Sequence, residues 1–352
     1  MSKPPSITEQ APTTIYDIAK LAEASPATVS RVLSNSSYHV SDRLRERILK
    51  AARELNYIPN GTGRQLKTKV SRAIGVMIPS VSNPYYASVV SGIEEIAFEK
   101  GYNVLLCNSR QNAAEEAKYL HMMFEQQVAG LIISPLPGNH DIIRNFIGRG
   151  LNVVAFDQTL ECDDVCQIDY DYRTGGYLAT QHLIESGHKD IAYLTAPLDR
   201  GSRRLIYEGY RQALIESGIS PEEQTMMVSD TSGLSGEMSE FAAGRELGLT
   251  LLAQRKRPTA AFICNDMTAF GVLHVLSEHG VKVPDDISLI GFDNIKFGEM
   301  VSPPLTTIEQ PKYELGKLAC TLLLRNRHEG AGRSQGVMLE PQLVRRASVQ
   351  RI

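Results

Sequence analysis

Two hydrophobic rhythms divide the chain. Between Thr14 and Leu55 apolar side chains recur every three or four residues: Ile15, Ile18, Ala19 and Ala22, then Val29, Val32 and Leu33, then Leu44, Ile48, Ala52 and Leu55. That spacing lines one face of a helix and predicts three short helices. Each opens on a start signal. Thr14 is followed three residues on by Asp17, a capping-box spacing. Ser25-Pro26 pairs an N-cap with a proline at the first helical position, where no N–H is needed. Ser41 is followed by Asp42. The first two helices are separated only by the turn around Glu23-Ala24.

From Ala73 onward the pattern changes to short apolar runs alternating with helical stretches. The strand candidates are 73–79, 102–108, 130–135, 152–157, 190–196, 259–265 and 287–293. Helices are expected over Tyr86–Lys100, Glu115–Gln126, Gly176–Ser186, Arg204–Glu216, Met267–Glu278 and Tyr313–Arg325. Runs that are apolar on both faces suit buried parallel strands, and their number predicts two α/β sheets. In open α/β sheets ligands bind beyond the carboxyl ends of the strands. Asn83, Asp157, Asn265 and Asp293 stand at such ends.

Charge separates the two parts further. Net charge is −3, yet residues 1–72 hold 12 Lys and Arg against 6 Asp and Glu, a net of +6 that leaves −9 for the rest. A basic head on an acidic body is what phosphate contact requires. Two helices joined by so short a turn form a helix-turn-helix, whose second helix can enter the major groove. A helical cap or dimerisation module is the other reading of the same pattern.

Residues 1–13 are rich in Pro, Ser and Thr and read as a disordered tail with no export signal. No run is long and apolar enough to cross a membrane. The 5 cysteines are scattered, which fits reduced thiols in the cytoplasm. Cys162 and Cys166 lack the second pair or His that a metal site needs. No metal, cofactor or catalytic residue is expected.

The segment TTIYDIAKLAEASPATVSRVLSNSSYHVSDRLRERILKAARELNYIPN resembles the DNA-binding headpiece of the LacI/GalR family. NPYYASVVSGIE, LIESGHKDIAYL, FICNDMTAFGVL, ISLIGFDN and PPLTTIEQP carry the resemblance to the C-terminus. It implies an all-α helix-turn-helix headpiece and a periplasmic-binding-protein-like body of two parallel-sheet subdomains. The headpiece would span 14–58, the hinge linker 59–72 and the effector-binding and dimerisation domain 73–352. Its subdomains would take about 73–169 with 305–336, and about 170–304 with 337–352. The implied function is a transcriptional repressor that binds a palindromic operator as a homodimer, under control of a sugar or sugar derivative. The chain ends at Ile352 without a further leucine heptad, which favours a dimer over a tetramer.

The same resemblance implies DNA contacts at Thr14, Tyr16, Ser25, Ala27, Thr28, Ser30, Arg31, Asn35, Val40, Ser41, Asn60 and Arg64, with Leu66 as a minor-groove wedge. It implies effector contacts at Asn83, Tyr85, Asp157, Tyr172, Arg200, Asn265 and Asp293. Asn265 and Asp293 could instead only cap the helices that follow, and Asp157 could only hold a loop.

Three departures from the family pattern matter. Glu23 stands where glycine is common in the turn, so a positive φ would cost about 1 kcal/mol. Gly61 and Gly63 weaken a hinge helix by up to about 1 kcal/mol each relative to Ala, which predicts a hinge that orders only on DNA. Ile206 stands where many members carry a basic residue that grips the effector. That leaves Arg200 as the nearby cation, or an effector that is uncharged there, or a protein partner instead of a metabolite. The rivals are a periplasmic binding protein and a carbohydrate hydrolase using Asp157 and Asp293. The basic head opposes the first, and no hydrolase or nucleotide motif supports the second.

Overall fold

A computed structural model describes residues 13–34, 38–57, 71–160, 162, 165–230, 239–329 and 336–352. It divides at Val70 into a head and a body. Asn35, Asn60, Arg64 and Leu66, with nearly all of the hinge, lie outside the described residues.

The head holds α1 (Ile15–Leu21), α2 (Pro26–Leu33) and α3 (Asp42–Glu54), with Thr14, Ser25 and Ser41 at the N-cap positions, although the Ser41 side chain makes no cap hydrogen bond. Ile18, Ala19, Ala22, Val29, Val32, Ile48 and Ala51 make its core. The expected cap at Ser25 forms, with its Oγ accepting Thr28 N–H at 3.1 Å. At Thr14 the expected capping box with Asp17 forms. Both the Thr14 N–H and its hydroxyl donate to Asp17 Oδ2, at 2.8 and 2.7 Å. Glu23 takes a positive φ of 48°, the strain anticipated for a non-glycine turn. Arg47 steadies that turn from α3 by donating to the carbonyls of Ala22 and Glu23, at 2.8 and 3.3 Å.

The body is built on two sheets. The first contains β1 (Ala73–Ile78), β2 (Asn103–Asn108), β3 (Leu131–Ile133), β4 (Val153–Phe156), β5 (Cys166–Tyr170) and β11 (Val337–Leu339), in the order β11-β5-β4-β3-β1-β2. Every pairing in it is parallel. On its faces lie α4 (Pro84–Glu99), α5 (Ala113–Glu125), α6 (His140–Gly148) and α11 (Lys312–Glu329). The second sheet is also parallel, in the order β7-β6-β8-β9, from β6 (Ile191–Thr195), β7 (Met226–Val228), β8 (Ala260–Ile263) and β9 (Ser288–Ile290). It is flanked by α7 (Tyr172–Glu185), α8 (Gly201–Glu216), α9 (Ser239–Leu252) and α10 (Asp266–Glu278). An antiparallel pair, β10 (Thr307–Glu309) with β12 (Gln342–Val344), extends from the second sheet through bridges Ile290–Thr306 and Asp293–Glu309. The chain thus crosses between sheets after β5, between β9 and α11, and after β11. No helix among the described residues is long and apolar enough to cross a membrane.

The expected strands and helices all occur, with ends trimmed or extended by a few residues. The pattern did not reveal β5, β7, β10, β11, β12, α6 or α9, most of which are short. Cys162 and Cys166 pack into different core clusters, on opposite sides of the first sheet.

Close helix packing recurs three times, and each time a glycine on both helices permits it. A Cβ on Gly92 would lie 2.1 Å from Tyr313 O, and one on Gly316 would lie 2.0 Å from Val89 O. Gly176 and Gly209 make the same crossing of α7 and α8, as do Gly244 and Gly271 for α9 and α10. Replacing one of these glycines must push two backbones apart, and overpacking of this kind costs about 1–3 kcal/mol or more. Gly209→Ala, whose new methyl would meet Arg173 O at 2.0 Å, should therefore lower the unfolding free energy by that amount, read as a fall in the denaturant midpoint. An unchanged midpoint would show that α7 and α8 can separate freely.

Candidate functional site

On the head, helix packing sorts the residues proposed to meet DNA. Val29 and Val32 are buried, while Ala27 and Arg31 are exposed and Thr28 and Ser30 half-buried. Tyr16, Ser25, Thr14 and Ser41 are also exposed, and Val40 is half-buried. The start of α2 therefore presents a small, polar surface ending in a guanidinium. That guanidinium rests 4.1 Å from the centre of the Tyr38 ring.

In the body, the carboxyl ends of both sheets face one cleft. Asn83, Tyr85, Asp157, Tyr172, Arg200, Asn265 and Asp293, separated by up to 210 residues, all line it. Tyr86, Ser202, Arg203, Ile206, Glu240, Cys264 and Gln310 complete the wall.

Strand ends and helix starts place these groups. Asn83 caps α4, with its Oδ1 accepting Tyr85 N–H at 2.9 Å and its Nδ2 donating to Glu240 at 3.1 Å. Asn265 caps α10 by accepting Thr268 N–H at 2.8 Å. For Asn265, capping and facing the cleft are compatible. Asp157, just beyond β4, and Asp293, beyond β9, both take positive φ, 64° and 114°. Non-glycine residues held in that region store strain, typically of about 1–3 kcal/mol, and cluster at binding sites.

Asp157 is the hub. Its Oδ2 accepts from Tyr86 and Ser134 hydroxyls, each at 2.8 Å, and pairs with the Arg200 guanidinium at 2.5 Å. Its Oδ1 accepts from Tyr172 at 3.1 Å and Gln158 at 3.2 Å. Burial alone would raise this carboxyl, but Arg200 and the Ser134, Tyr86 and Tyr172 hydroxyls outweigh it and hold it below its ordinary value. Asp157 extends from the first sheet and Arg200 is the N-cap of α8 in the second layer, so the pair spans the cleft. Gln158 adds a second link by accepting Gly201 N–H at 2.8 Å and donating to Ser202 at 2.6 Å.

The opposite wall is acidic. Asp293 accepts from Gln310 at 2.7 Å, and burial, followed by neighbouring Asp266 and Glu240, raises its carboxyl. Behind it, Asp266 accepts from Thr307 at 2.6 Å and from Ile295 N–H at 2.9 Å, and burial pushes it up to about 7. Three buried polar atoms on the cleft wall have no partner among the described residues: Tyr85 OH, Arg200 Nε and Gln310 Oε1. The Tyr85 hydroxyl lies beside Tyr172 without a well-formed hydrogen bond. Buried unpaired groups are uncommon and point to a site that a ligand completes. Ile206 presents an apolar side chain here, and its carbonyl is pinned against Gly176. Tyr86, Ser134, Gln158, Glu240 and Gln310 were not among the expected site residues, although the strand-end positions of Ser134 and Gln158 were a signal for those two. Among the described residues no cluster of His, Cys, Asp or Glu is placed to hold a metal.

Removing one partner of a buried ion pair strands the other charge, at about 3–5 kcal/mol. Arg200→Ala should lose stability on that scale at neutral pH. The sign follows from the carboxyl. In the native protein its pKa is depressed, so its contribution is present above the unfolded value of about 3.9 and fades as pH falls through the folded one. In the variant only the hydroxyls still oppose burial and the pKa rises, so the deficit should shrink as pH falls toward 4. A deficit independent of pH, measured by denaturant unfolding, would assign the loss to packing instead.

Comparison with known proteins covers both parts. Residues 14–60 match the family described as bacterial regulatory proteins, lacI family, and residues 180–349 match a periplasmic binding protein-like domain. The chain is 35% identical over 340 residues to the HTH-type transcriptional repressor PurR of Pasteurella multocida, covering 96% of this chain and 98% of that one. The PurR repressor of Mannheimia succiniciproducens is 34% identical over 343 residues, with 96% and 99% covered. Among solved structures, the lac repressor dimer bound to operator and the anti-inducer ONPF superposes with a TM-score of 0.82 at 30% identity, covering 97% of this chain and all of that one. A LacI family regulator from Enterococcus faecium with bound ribose gives 0.72 at 28% identity, covering 80% and 99%. Shared sequence along nearly the whole length, across head and body alike, makes this chain a member of the LacI family of bacterial regulatory proteins.

Proposed function

We propose that the protein represses transcription by holding a two-fold symmetric operator as a homodimer, and that a small polar molecule in the body cleft sets the strength of that hold. The observation that carries the reading is the cleft itself. Strand ends of two sheets converge on it, one buried ion pair spans it, and unpaired polar atoms line it. A ligand that competes for these groups alters the relation of the two sheets, and a coupling of about 1–3 kcal/mol is typical of such linkage. A sugar or sugar derivative fits the hydrogen-bonding wall, and ribose occupies the related Enterococcus faecium regulator.

Ala27, Thr28, Ser30 and Arg31 are the proposed base readers, with Arg31 leaving the Tyr38 ring or using it as a support. Tyr16, Ser25 and Ser41 are proposed to meet phosphate or sugar, with Leu66 of the hinge as the minor-groove wedge. Two heads on a symmetric dimer would read two half-sites. Each body sheet leaves an apolar edge strand exposed, Leu106 on β2 and Met226 with Val228 on β7, and the α4 end adds Phe98. Uncovered strand edges of this kind invite pairing, and we assign them to the dimer interface. The protein works in the cytoplasm and carries out no catalysis in this reading.

The test is a fluorescence titration of the full chain against operators selected from genomic fragments and against random DNA, at two salt concentrations. Selective binding that weakens steeply with salt is expected. Arg31→Ala should reduce affinity for the selected site about tenfold or more while barely changing binding to random DNA. Equal losses on both DNAs would demote Arg31 to a phosphate contact, and failure to enrich any fragment would sink the DNA-binding reading. Asp293→Ala should bind operator normally and no longer respond to effector. A normal response would remove Asp293 from the site.

A further inference from the structure

The cleft holds more acid than its cations use. Arg200 is committed to Asp157. Arg203 donates to Pro197 O at 3.1 Å and Asp199 at 3.3 Å. Lys312, behind Asp293, pairs with Glu309 at 3.0 Å and donates to the carbonyls of Asp293, Asn294 and Gln310. Two carboxylates on the wall are left over. Glu240 accepts from Asn83 and Asp293 accepts from Gln310, and neither forms an ion pair among the described residues.

An ionised carboxylate taken out of water costs several kcal/mol unless a positive charge or several donors replace its hydration. Each of these two has one neutral donor. Burial raises both carboxyls; Asp266 and Glu240 raise Asp293 further, while Asn83, Arg203 and Arg200 offset only part of the rise at Glu240. One cation placed between them would relieve desolvation and repulsion together.

A second observation points the same way. Gln310 and Tyr85 are only 3% and 4% exposed, and the Gln310 Oε1 and Tyr85 hydroxyl lie unpartnered on the same wall. The Gln310 amide nitrogen is already spent on Asp293, so what it offers a ligand is an acceptor. Arg200 Nε is an unpartnered donor, and the Tyr85 hydroxyl can donate or accept. At Ile206 the wall is apolar. A phosphate or carboxylate would have to settle against Glu240 and Asp293, with Arg200 drawn to Asp157 and Arg203 turned toward Pro197 O and Asp199.

Building on the effector-cleft reading above, we propose that the cleft selects a small hydroxylated molecule bearing a protonated amine, held between Glu240 and Asp293, with the Gln310 carbonyl and Tyr85 hydroxyl taking further donors. Glu240 is then the residue that distinguishes an amine from its neutral counterpart.

Thermal unfolding of the full chain at pH 7 tests this with glucosamine, galactosamine and mannosamine, each beside its N-acetyl form and its parent hexose. At least one amine should raise the unfolding midpoint and bind about tenfold or more tightly than its two neutral counterparts. Glu240→Gln keeps an acceptor for Asn83 and should erase that preference, as should Asp293→Asn; each variant's midpoint without sugar reports whether it has folded. Neutral sugars that bind as well as the amines would overturn the proposal, and so would a set in which no amine stabilises the protein or a preference that survives both substitutions. Operator titration on the same samples separates this from the broader reading. A neutral sugar that alters operator affinity leaves the regulator in place and removes only the amine, whereas loss of sequence-selective DNA binding removes the regulator and leaves the sugar preference as measured.

Discussion

The body turns on one buried contact, the pair between Asp157 and Arg200. A carboxylate and a guanidinium this enclosed are costly to desolvate, and their attraction offsets the cost only with good geometry and full hydrogen bonding. Here Asp157 has five donors and Arg200 has Tyr86 and Ser134 beside it, with only its Nε left without a partner among the described residues. Those donors come from α4, β3, the end of β4, α7 and the start of α8. The pair is satisfied only when the two layers stand in this relation. Any ligand that takes one of its partners changes the balance between layers, which is how a small molecule can reach a protein of this size.

The glycine crossings complement it. They lock α4 with α11, α7 with α8 and α9 with α10 at backbone contact, so each layer resists internal deformation. A displacement between the layers must then be absorbed where the chain crosses, near 170–172, 291–310 and 339–342. The longest of these is held by a polar net. Lys312 binds three carbonyls within it, and Arg346 ties Leu305 O at 2.8 Å to Asn294 Oδ1 at 2.7 Å. Stiff layers joined by hydrogen-bonded crossings suit hinge motion more than gradual strain.

Much of the architecture was legible from local pattern. Thr14, Ser25 and Ser41 mark helix starts because a cap acts within three residues. The buried parallel strands were legible because both faces are apolar. The reading failed where local signals were weak or spent elsewhere. The β5, β7, β10, β11 and β12 strands are three to five residues long, below the length at which periodicity speaks. At α6, Asn139 stands in the cap position but its side chain serves Ala113 O and Glu116 instead. At α9, Gly244 and Gly248 lower helix propensity, and the helix is held by its contact with α10.

The cleft divides in the same way. Asn83, Asp157, Asn265 and Asp293 could be named because polar residues at the ends of apolar strands are exposed by topology alone. Glu240 could not, since nothing beside it in the chain distinguishes it from a surface residue; Ser134 and Gln158 also stand at strand ends but are absent from the expected set, as are Tyr86 and Gln310. Asn83 and Glu240 are 157 positions apart and meet at 3.1 Å. By itself the sequence determined the elements, the two-part layout, the basic head and the polar strand ends, because those follow from interactions a few residues long. The tertiary structure alone decided which charges are paired across the cleft and which are left over, because that depends on distances between segments that only the packing of two sheets brings together.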